Sequence, residues 1–350
     1  METDVRVIDP RTERRWDAFV LAHPLACVFH TSEWCRVLAD TYGYHPRYIA
    51  AFDSAGDIRA AVPMMLIDSW LTSRRLVGLP FSDMCQPLVS DDAYGLLALT
   101  GAQDQVNKMS AASLELRGPG VGNAKDLGFS NGTNFLRHII DLDAVTEAME
   151  ARVHQSARRA IRKAEREGLT VRLASDIDSM HAFYRLMVLT RRKHGLLPQP
   201  KSFFQNLHQH MFESGAGYLL LAEYEGRPVA GDLLLRFRDE LVYKFNASDP
   251  DFLHLRPNNL LLWNAMLTGA ALGCRTLDLG RCDEENEGLR RFKLLWGSRE
   301  ETLSYYYYPQ NNRNGLLTGG IARDSLALFV KYAPLAALRG MGSALYRNFG

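Results

Sequence analysis

Cysteine is scarce and scattered: Cys27, Cys35, Cys85, Cys274 and Cys282 are odd in number, and no two form a C-x-x-C pair. That pattern speaks against a disulfide framework or a zinc site and suits reduced thiols in a cytosol. An excess of one charge is also missing, since 41 Lys and Arg face 40 Asp and Glu for a formal net charge of +1. The chain therefore has no global pull toward nucleic acid or membrane, and an acidic partner must be met by a local basic patch. No apolar run reaches the roughly 20 residues of a spanning helix. The longest ones, near the C-terminus, are broken by Arg323, Asp324 and Lys331. The opening METDVRVIDPRTERRW is charged from its second residue and lacks the apolar core of a secretion signal. A soluble, cytoplasmic protein is expected.

Several chemical signatures are absent as well. There is no G-x-S-x-G elbow. GPGVG from Gly118 lacks the third glycine of a dinucleotide loop and the lysine of a P-loop, so it reads as a turn. His208 and His210 stand two apart, which on a helix points them away from each other, and no metal site is expected.

What is present is ordinary globular composition, 47% hydrophobic and 23% charged, over 350 residues. That length exceeds the usual single core and predicts two domains. An internal echo agrees. YIAAFDSAGDIRAAVPMMLI from Tyr48 lies without gaps over YLLLAEYEGRPVAGDLLLRF from Tyr218, an offset of 170 positions. Tyr48 meets Tyr218, Gly56 meets Gly226 and Ala60 meets Ala230. Each copy reads as strand, acidic-glycine turn, strand, the signature of a hairpin. The helical segments DAFVLA at Asp17 and HAFYRL at His181 precede the two hairpins at similar distances. A duplicated helix–hairpin unit is expected, against the alternative that any two hairpins share apolar flanks and a turn glycine.

The second copy continues legibly. ELVYKFNAS from Glu240 alternates as a third strand. PNNLLLWNAMLTGAALG from Pro257 is an apolar helix with proline in its first turn and Gly273 at its end. RTLDLG from Arg275 is a short buried strand. A helix follows from Asn286 through GLRRFKLLWG, and ETLSYYYYP from Glu301 is a strand stopped by Pro309. The YYYY run offers a surface for stacking a sugar or base, although its alternation is also that of a plain two-faced strand. In the first copy LELRG at Leu114 and HIIDL at His138 read as strands. The expected division is a first lobe over 1–145, a basic linking helix over 146–170 capped by Gly168, a second lobe over 171–312 and a helical tail over 313–350 interrupted by Pro334. The fold class is α+β, with a mixed, largely antiparallel sheet in each lobe flanked by helices.

RRKHGLLPQP at Arg191, LDLGR ending at Arg281, RRFKLLWG at Arg290 and LPFSDMCQPL at Leu79 together resemble the Fem-type branch of the acetyltransferase (GNAT) superfamily. The resemblance runs from about Trp16 to Pro309, and its specificity lies in the order and spacing of these segments. It implies two tandem GNAT-like lobes and an acyltransferase of aminoacyltransferase or N-acyltransferase type. The best-known members move amino acids from aminoacyl-tRNA onto cell-wall peptides, and the helical hairpin arm those members carry has no counterpart here. Other relatives sit in exopolysaccharide or lipid pathways. The implied reaction is transfer of an activated acyl group onto an amine of a cell-envelope, polysaccharide or lipid precursor. The implied donor is a co-substrate rather than a cofactor, an aminoacyl-tRNA or an acyl thioester, and peripheral membrane association is a further expectation. A catalytically silent glycan- or peptide-binding module is the alternative from another class.

On that resemblance Lys293 matches the family lysine that steadies negative charge at the reacting carbonyl, since a fixed cation in a dry cleft stabilises an oxyanion. The competing reading has Arg290, Arg291 and Lys293 all exposed on an amphipathic helix. Asp278, at the end of a buried strand, is a candidate base for the incoming amine, or a structural partner of Arg281 or Arg256. Arg281 and Tyr243 are candidate substrate contacts. Arg256 and Asn258 stand where a coenzyme A-using relative places its phosphate loop, but Pro257, Asn259 and Leu261 replace the expected glycines. Anion binding at this helix start is retained and conventional acetyl-CoA use is disfavoured. Arg159, Arg162, Lys163 and Arg166 fall on one helical face that suits a phosphate-rich donor or plain solvent. Arg192 and His194 are read as phosphate contacts or as a helix end, and Asp83 as a cleft residue or a turn cap.

Overall fold

The computed structural model describes residues 4–118, 127–309 and 327–348, so GPGVG beyond Gly118 and the tail over 313–326 lie outside the described residues. The chain divides into two compact units. The first takes the residues up to Phe135, those from Thr302 on in the last strand, and Arg347 and Asn348. The second takes Leu136–Glu301 and the helical tail up to Tyr346.

The first unit contains β1 (Asp4–Ile8), α1 (Trp16–Ala22), α2 (Ser32–Tyr42), β2 (His45–Pro46), β3 (Tyr48–Phe52) and β4 (Ile58–Val62). It continues through β5 (Met65–Ser69), β6 (Ser73–Val77), β7 (Leu88–Val89), α3 (Asp92–Lys108), β8 (Leu114–Arg117) and the start of β9 (Ser130–Asp141). Its antiparallel sheet has the order β1-β3-β4-β7. The intervening β5–β6 hairpin turns off into separate pairings with β2 and β8. The hairpin expected at the centre of a mixed sheet therefore sits in an all-antiparallel one. The two-residue β7 takes the fourth place, and α3 buries Ala98, Leu99 and Ala102 in the same cluster as Ile49, Ala51 and Ala60.

In the second unit β9 is followed by α4 (Thr146–Arg152), α5 (Gln155–Arg166), β10 (Thr170–Ala174), α6 (Ile177–Lys193), α7 (Lys201–Leu207) and β11 (Gly217–Tyr224). Then come β12 (Arg227–Phe237), β13 (Glu240–Ser248), α8 (Pro257–Ala271), β14 (Thr276–Cys282), α9 (Glu287–Leu294), the start of β15 (Arg299–Tyr308) and α10 (Leu335–Leu345). The strand order β10-β11-β12-β13 repeats β1-β3-β4-β7, again antiparallel throughout, and α8 follows β13 as α3 follows β7. Both hairpins carry a bulge near the same place, at Ala51/Phe52 and at Ala222/Glu223, and a turn glycine with positive φ, Gly56 and Gly226. Duplication of the fold is thus visible in topology. The registers differ by one, because Ile49 faces Val62 whereas Leu219 faces Leu233.

Alternation along β11 and β12 sends Leu220, Ala222, Ala230 and Leu234 into a core shared with α8 and α5. Gly231 lies on the opposite face, where a Cβ would stand 2.9 Å from Phe183 of α6. The expected linking helix is instead two helices, broken where the His154 side chain accepts from the Ser156 amide. Both belong to the second unit rather than to a connector: Met149, Val153, Ala157, Ile161 and Ala164 are buried in its core, an apolar stripe that has to be covered.

Gly297 closes the Trp296-Gly297 end of α9 with φ +73, and a Cβ there would meet the Arg152 carbonyl at 3.1 Å. Gly297→Ala is expected to lower the unfolding free energy by about 1–3 kcal/mol, combining left-handed strain with a backbone contact. Gly168 has φ +85 with nothing within 4 Å. Gly168→Ala should carry the strain alone, about 1 kcal/mol. Urea denaturation of the two variants measures the difference; equal losses would contradict the packing argument.

Candidate active site

β13 and β14 run parallel for three register pairs, Glu240–Thr276, Leu241–Leu277 and Val242–Asp278, and pairing then stops. Beyond that point the strands leave a pocket of about 460 Å³, walled by Tyr243 and Asn246 on one side, Leu279 on the other, Asn258 from α8, and Phe292 and Lys293 from α9.

The wall from β13 depends on a bulge. Leu233 of β12 faces Phe245 but Leu234 faces Tyr243, so Lys244 is an extra residue. Tyr243 and Asn246 are three apart and would point to opposite faces of a regular strand; the bulge brings both to one face. There they converge on Asp232 of β12, whose Oδ1 accepts from the Tyr243 hydroxyl at 2.7 Å and from Asn246 Nδ2 at 2.8 Å. Asn246 also donates to Asn258 Oδ1 at 3.3 Å. Asp232 is fully buried, and its Oδ2 has no hydrogen-bond partner among the described residues. Burial pushes its carboxyl up to about 7, against the two hydrogen bonds, which favour the charged form. Burial, and then Asp232 beside it, likewise raises the Tyr243 phenol.

Lys293 is 5% exposed although it sits among basic neighbours on an eight-residue helix. Its Nζ donates to the carbonyls of Gly280 at 2.9 Å and Arg281 at 3.0 Å, on β14 past the parting. Gly280 adopts φ 70 at a bulge against β9, and its amide donates to Asp278 Oδ1 at 2.7 Å. Below Lys293, the buried His138 is pushed down to about 4 by desolvation and by the Lys293 charge, so its imidazole is neutral at physiological pH.

α8 starts from Arg256, a non-glycine residue at φ 66 immediately before proline, with no side chain capping the first turn. Arg256 and Asn259 border both the first pocket and an adjoining one of about 430 Å³, which Arg159 and Lys163 of α5 also line. A helix N-terminus flanked by three cations has the electrostatics of an anion groove.

The fold is shared with known proteins. A model of the acetyltransferase (GNAT) domain matches residues 151–298. The lipid II:glycine glycyltransferase of Staphylococcus haemolyticus is 24% identical, with 86% of this chain and 92% of that protein covered. The Staphylococcus epidermidis protein of the same name is 21% identical over the same shares. Among solved structures, FemX superposes with a TM-score of 0.67 at 18% identity, covering 88% of this chain and 97% of that one. A tandem GNAT protein from the clavulanic acid biosynthesis pathway gives 0.57 at 11% identity, covering 87% and 98%.

Residues 151–298 carry the acetyltransferase (GNAT) domain, and over most of its length the chain is similar to Fem-type transferases.

Four of the side chains singled out from sequence, Lys293, Tyr243, Arg256 and Asn258, meet at one pocket of the GNAT-like unit. The amphipathic alternative for α9 does not hold: Lys293 is buried and Leu294 is 43% exposed, while the Arg290 guanidinium pairs with Glu300 at 2.7 Å on the surface. Asp278, expected as the base, does not line the pocket. Its Oδ2 accepts from Arg137 Nε at 2.8 Å, a partner the sequence did not suggest, and the pair ties β14 to β9. Arg281 contributes its carbonyl to the site, and the residue is exposed. Arg192 and His194 lie at the end of α6 and line neither pocket. Burial and the nearby Lys193 and Arg191 lower the His194 pKa. Asp83 belongs to the first unit, where its carbonyl accepts from the Tyr305 hydroxyl at 2.7 Å. Of the basic stripe, Arg159 and Lys163 reach a pocket, whereas Arg162 approaches Glu150 at 3.5 Å on the exposed side. Asp232 escaped the sequence reading, and its one signal was an acidic residue inside the apolar run of β12.

Asp232 makes stability depend on pH. In the unfolded chain it ionises near 3.8, whereas the folded carboxyl keeps its proton up to about 7. The folded state thus binds the extra proton, and stability falls as pH rises from about 4 to 7 and levels off above. Asp232→Asn removes that loss. Its melting temperature relative to the parent should climb between about pH 5 and pH 8, a change on the order of a few kcal/mol. A pH-independent difference would contradict the raised pKa.

Proposed function

We propose that this protein transfers an aminoacyl group from a charged tRNA onto the amine of a lipid-linked cell-wall precursor, working at the cytoplasmic face of the membrane. One observation carries the reading: a buried lysine fixed by two backbone carbonyls beside a pocket that opens where two parallel strands part. The names of the Staphylococcus relatives supply lipid II as acceptor and glycine as the transferred group, and favour a muropeptide over a polysaccharide. The groove of Arg159, Lys163 and Arg256 supports a polyphosphate donor, and the missing glycines at the start of α8 argue against acetyl-CoA. No helix among the described residues is long and apolar enough to cross a membrane, so on this reading the lipid-linked acceptor is met at the membrane surface.

In the reaction the acceptor nitrogen attacks the donor ester carbonyl while both substrates are bound. The tetrahedral oxyanion forms beside Lys293, whose charge is already desolvated and positioned. Collapse breaks the ester bond, leaving an amide on the acceptor and a free ribose hydroxyl on the tRNA.

Transfer of labelled glycine from glycyl-tRNA to lipid II in vesicles tests this, with acetyl-CoA as the competing donor. Glycine should be transferred and acetyl should not; the reverse would overturn the donor assignment. Lys293→Ala should lower turnover by about a hundredfold or more at little cost in donor KM, because the charge it answers develops in the transition state. Lys293→Arg should restore only part, since a planar fork cannot meet two carbonyls as a compact ammonium does. Thermal melting must accompany both, because removing the amine orphans the Gly280 and Arg281 carbonyls.

A further inference from the structure

The mechanism leaves one requirement open. An attacking amine gains positive charge and must shed a proton, yet Asp278 and Glu240 are both engaged by Arg137, at 2.8 Å and 2.5 Å. Among the described pocket-lining residues the side chains that titrate are Lys293, Arg256 and Tyr243, and Tyr243 is wired to a carboxylate, that of Asp232.

We propose that Asp232, acting through the Tyr243 hydroxyl, takes up the proton that the acceptor amine loses on attack and returns it to the departing donor oxygen. The inference rests on the acyl-transfer reading above. As the new C–N bond forms, the nitrogen proton passes to the Tyr243 oxygen while the phenolic proton passes to Asp232 Oδ1. Asp232 changes from carboxylate to acid. When the ester C–O bond breaks, the same path runs backward, the ribose oxygen leaves as a hydroxyl and Asp232 is a carboxylate again. Atoms and charge balance with no other reactant. Tyr243 is the group that meets the substrate, and Asp232 positions and recharges it.

Three features support the assignment. The bulge at Lys244 directs Tyr243 and Asn246 onto one carboxyl oxygen, an arrangement that the strand pairing alone would not produce. Oδ2, fully buried, is left without a hydrogen-bond partner among the described residues, which a purely structural carboxylate would not tolerate at so apolar a position. The surroundings leave the carboxyl close to balance between its two states at physiological pH. Around it β13 presents Tyr243 and Asn246, β11 presents Leu220 in register, and α8 presents Asn258 through Asn246. Lys293 and Arg256 are the charged groups of the pocket wall.

Two measurements on the full chain decide it. Infrared difference spectra, parent minus Asp232→Asn, need no substrate. They should show a protonated-carboxyl band that vanishes with a midpoint near pH 7, and that moves in Tyr243→Phe. Absence of any such band between about pH 5 and 9 overturns the proposal. In the glycine transfer assay, turnover of the parent should rise through the same midpoint. Asp232→Asn and Tyr243→Phe should each lose about a hundredfold of turnover with donor KM within about threefold, and the acid limb should disappear. Parent-like turnover in either variant overturns the proposal. If the parent transfers nothing from glycyl-tRNA, the donor reading has failed, and the infrared titration still decides whether Asp232 exchanges its proton near neutrality.

Discussion

Everything at the site follows from the point where β13 and β14 part. A parallel pair that continued past Val242–Asp278 would saturate the backbone groups of both strands and leave no room between them. Because it stops, β14 is left with the carbonyls of Gly280 and Arg281 to satisfy, and the Lys293 ammonium satisfies both. A buried backbone demand thereby fixes a cation that water would otherwise hold, and the sheet obtains a charge at its opening. On the other strand the same opening leaves space for the Lys244 bulge and for the side chains it re-aims.

The site keeps three features that a protein selected for stability alone would lose. Asp232 sits unpaired at one oxygen inside an apolar face, Arg256 holds a left-handed backbone before a proline, and α8 begins without a side-chain cap. Each costs folding free energy, on the order of 1–3 kcal/mol for the strained backbone. All three lie on or directly behind the walls of two adjoining pockets, which is where such compromises are expected to concentrate. Away from the pockets the same unit is conventional: α8 and α5 cover one face of the sheet with Leu261, Ala265, Ile161 and Ala164 in the core.

Much of this was legible in the sequence. The strand at Glu240, the helix from Pro257, the strand at Thr276, the helix through Lys293 and the strand ending at Tyr308 all form where period and punctuation placed them. Lys293, Tyr243, Arg256 and Asn258 were nameable because the Fem-type resemblance and the helix start lie within short stretches of chain. What stayed hidden depends on partners distant in sequence or on breaks in regularity. Arg137 reaches Asp278 from 141 positions away, a pairing no local pattern carries. The stripe of apolar residues runs on across His154, so the break between α4 and α5 leaves no trace in periodicity. The two-residue β7 is too short to alternate. Asp232 was masked by the bulge, since plain alternation sends Tyr243 and Asn246 to opposite faces.

The central claim is that acyl transfer takes place in the pocket between β13 and β14. A tRNA analogue carrying a photoreactive group on its aminoacyl moiety, irradiated on the protein and mapped by mass spectrometry, examines that claim without requiring turnover. The label should fall in the peptides that contain Tyr243 and Phe292, and an excess of unlabelled charged tRNA should suppress it. Labelling confined to the first unit, around Asp83 for example, would contradict the account and move the chemistry elsewhere.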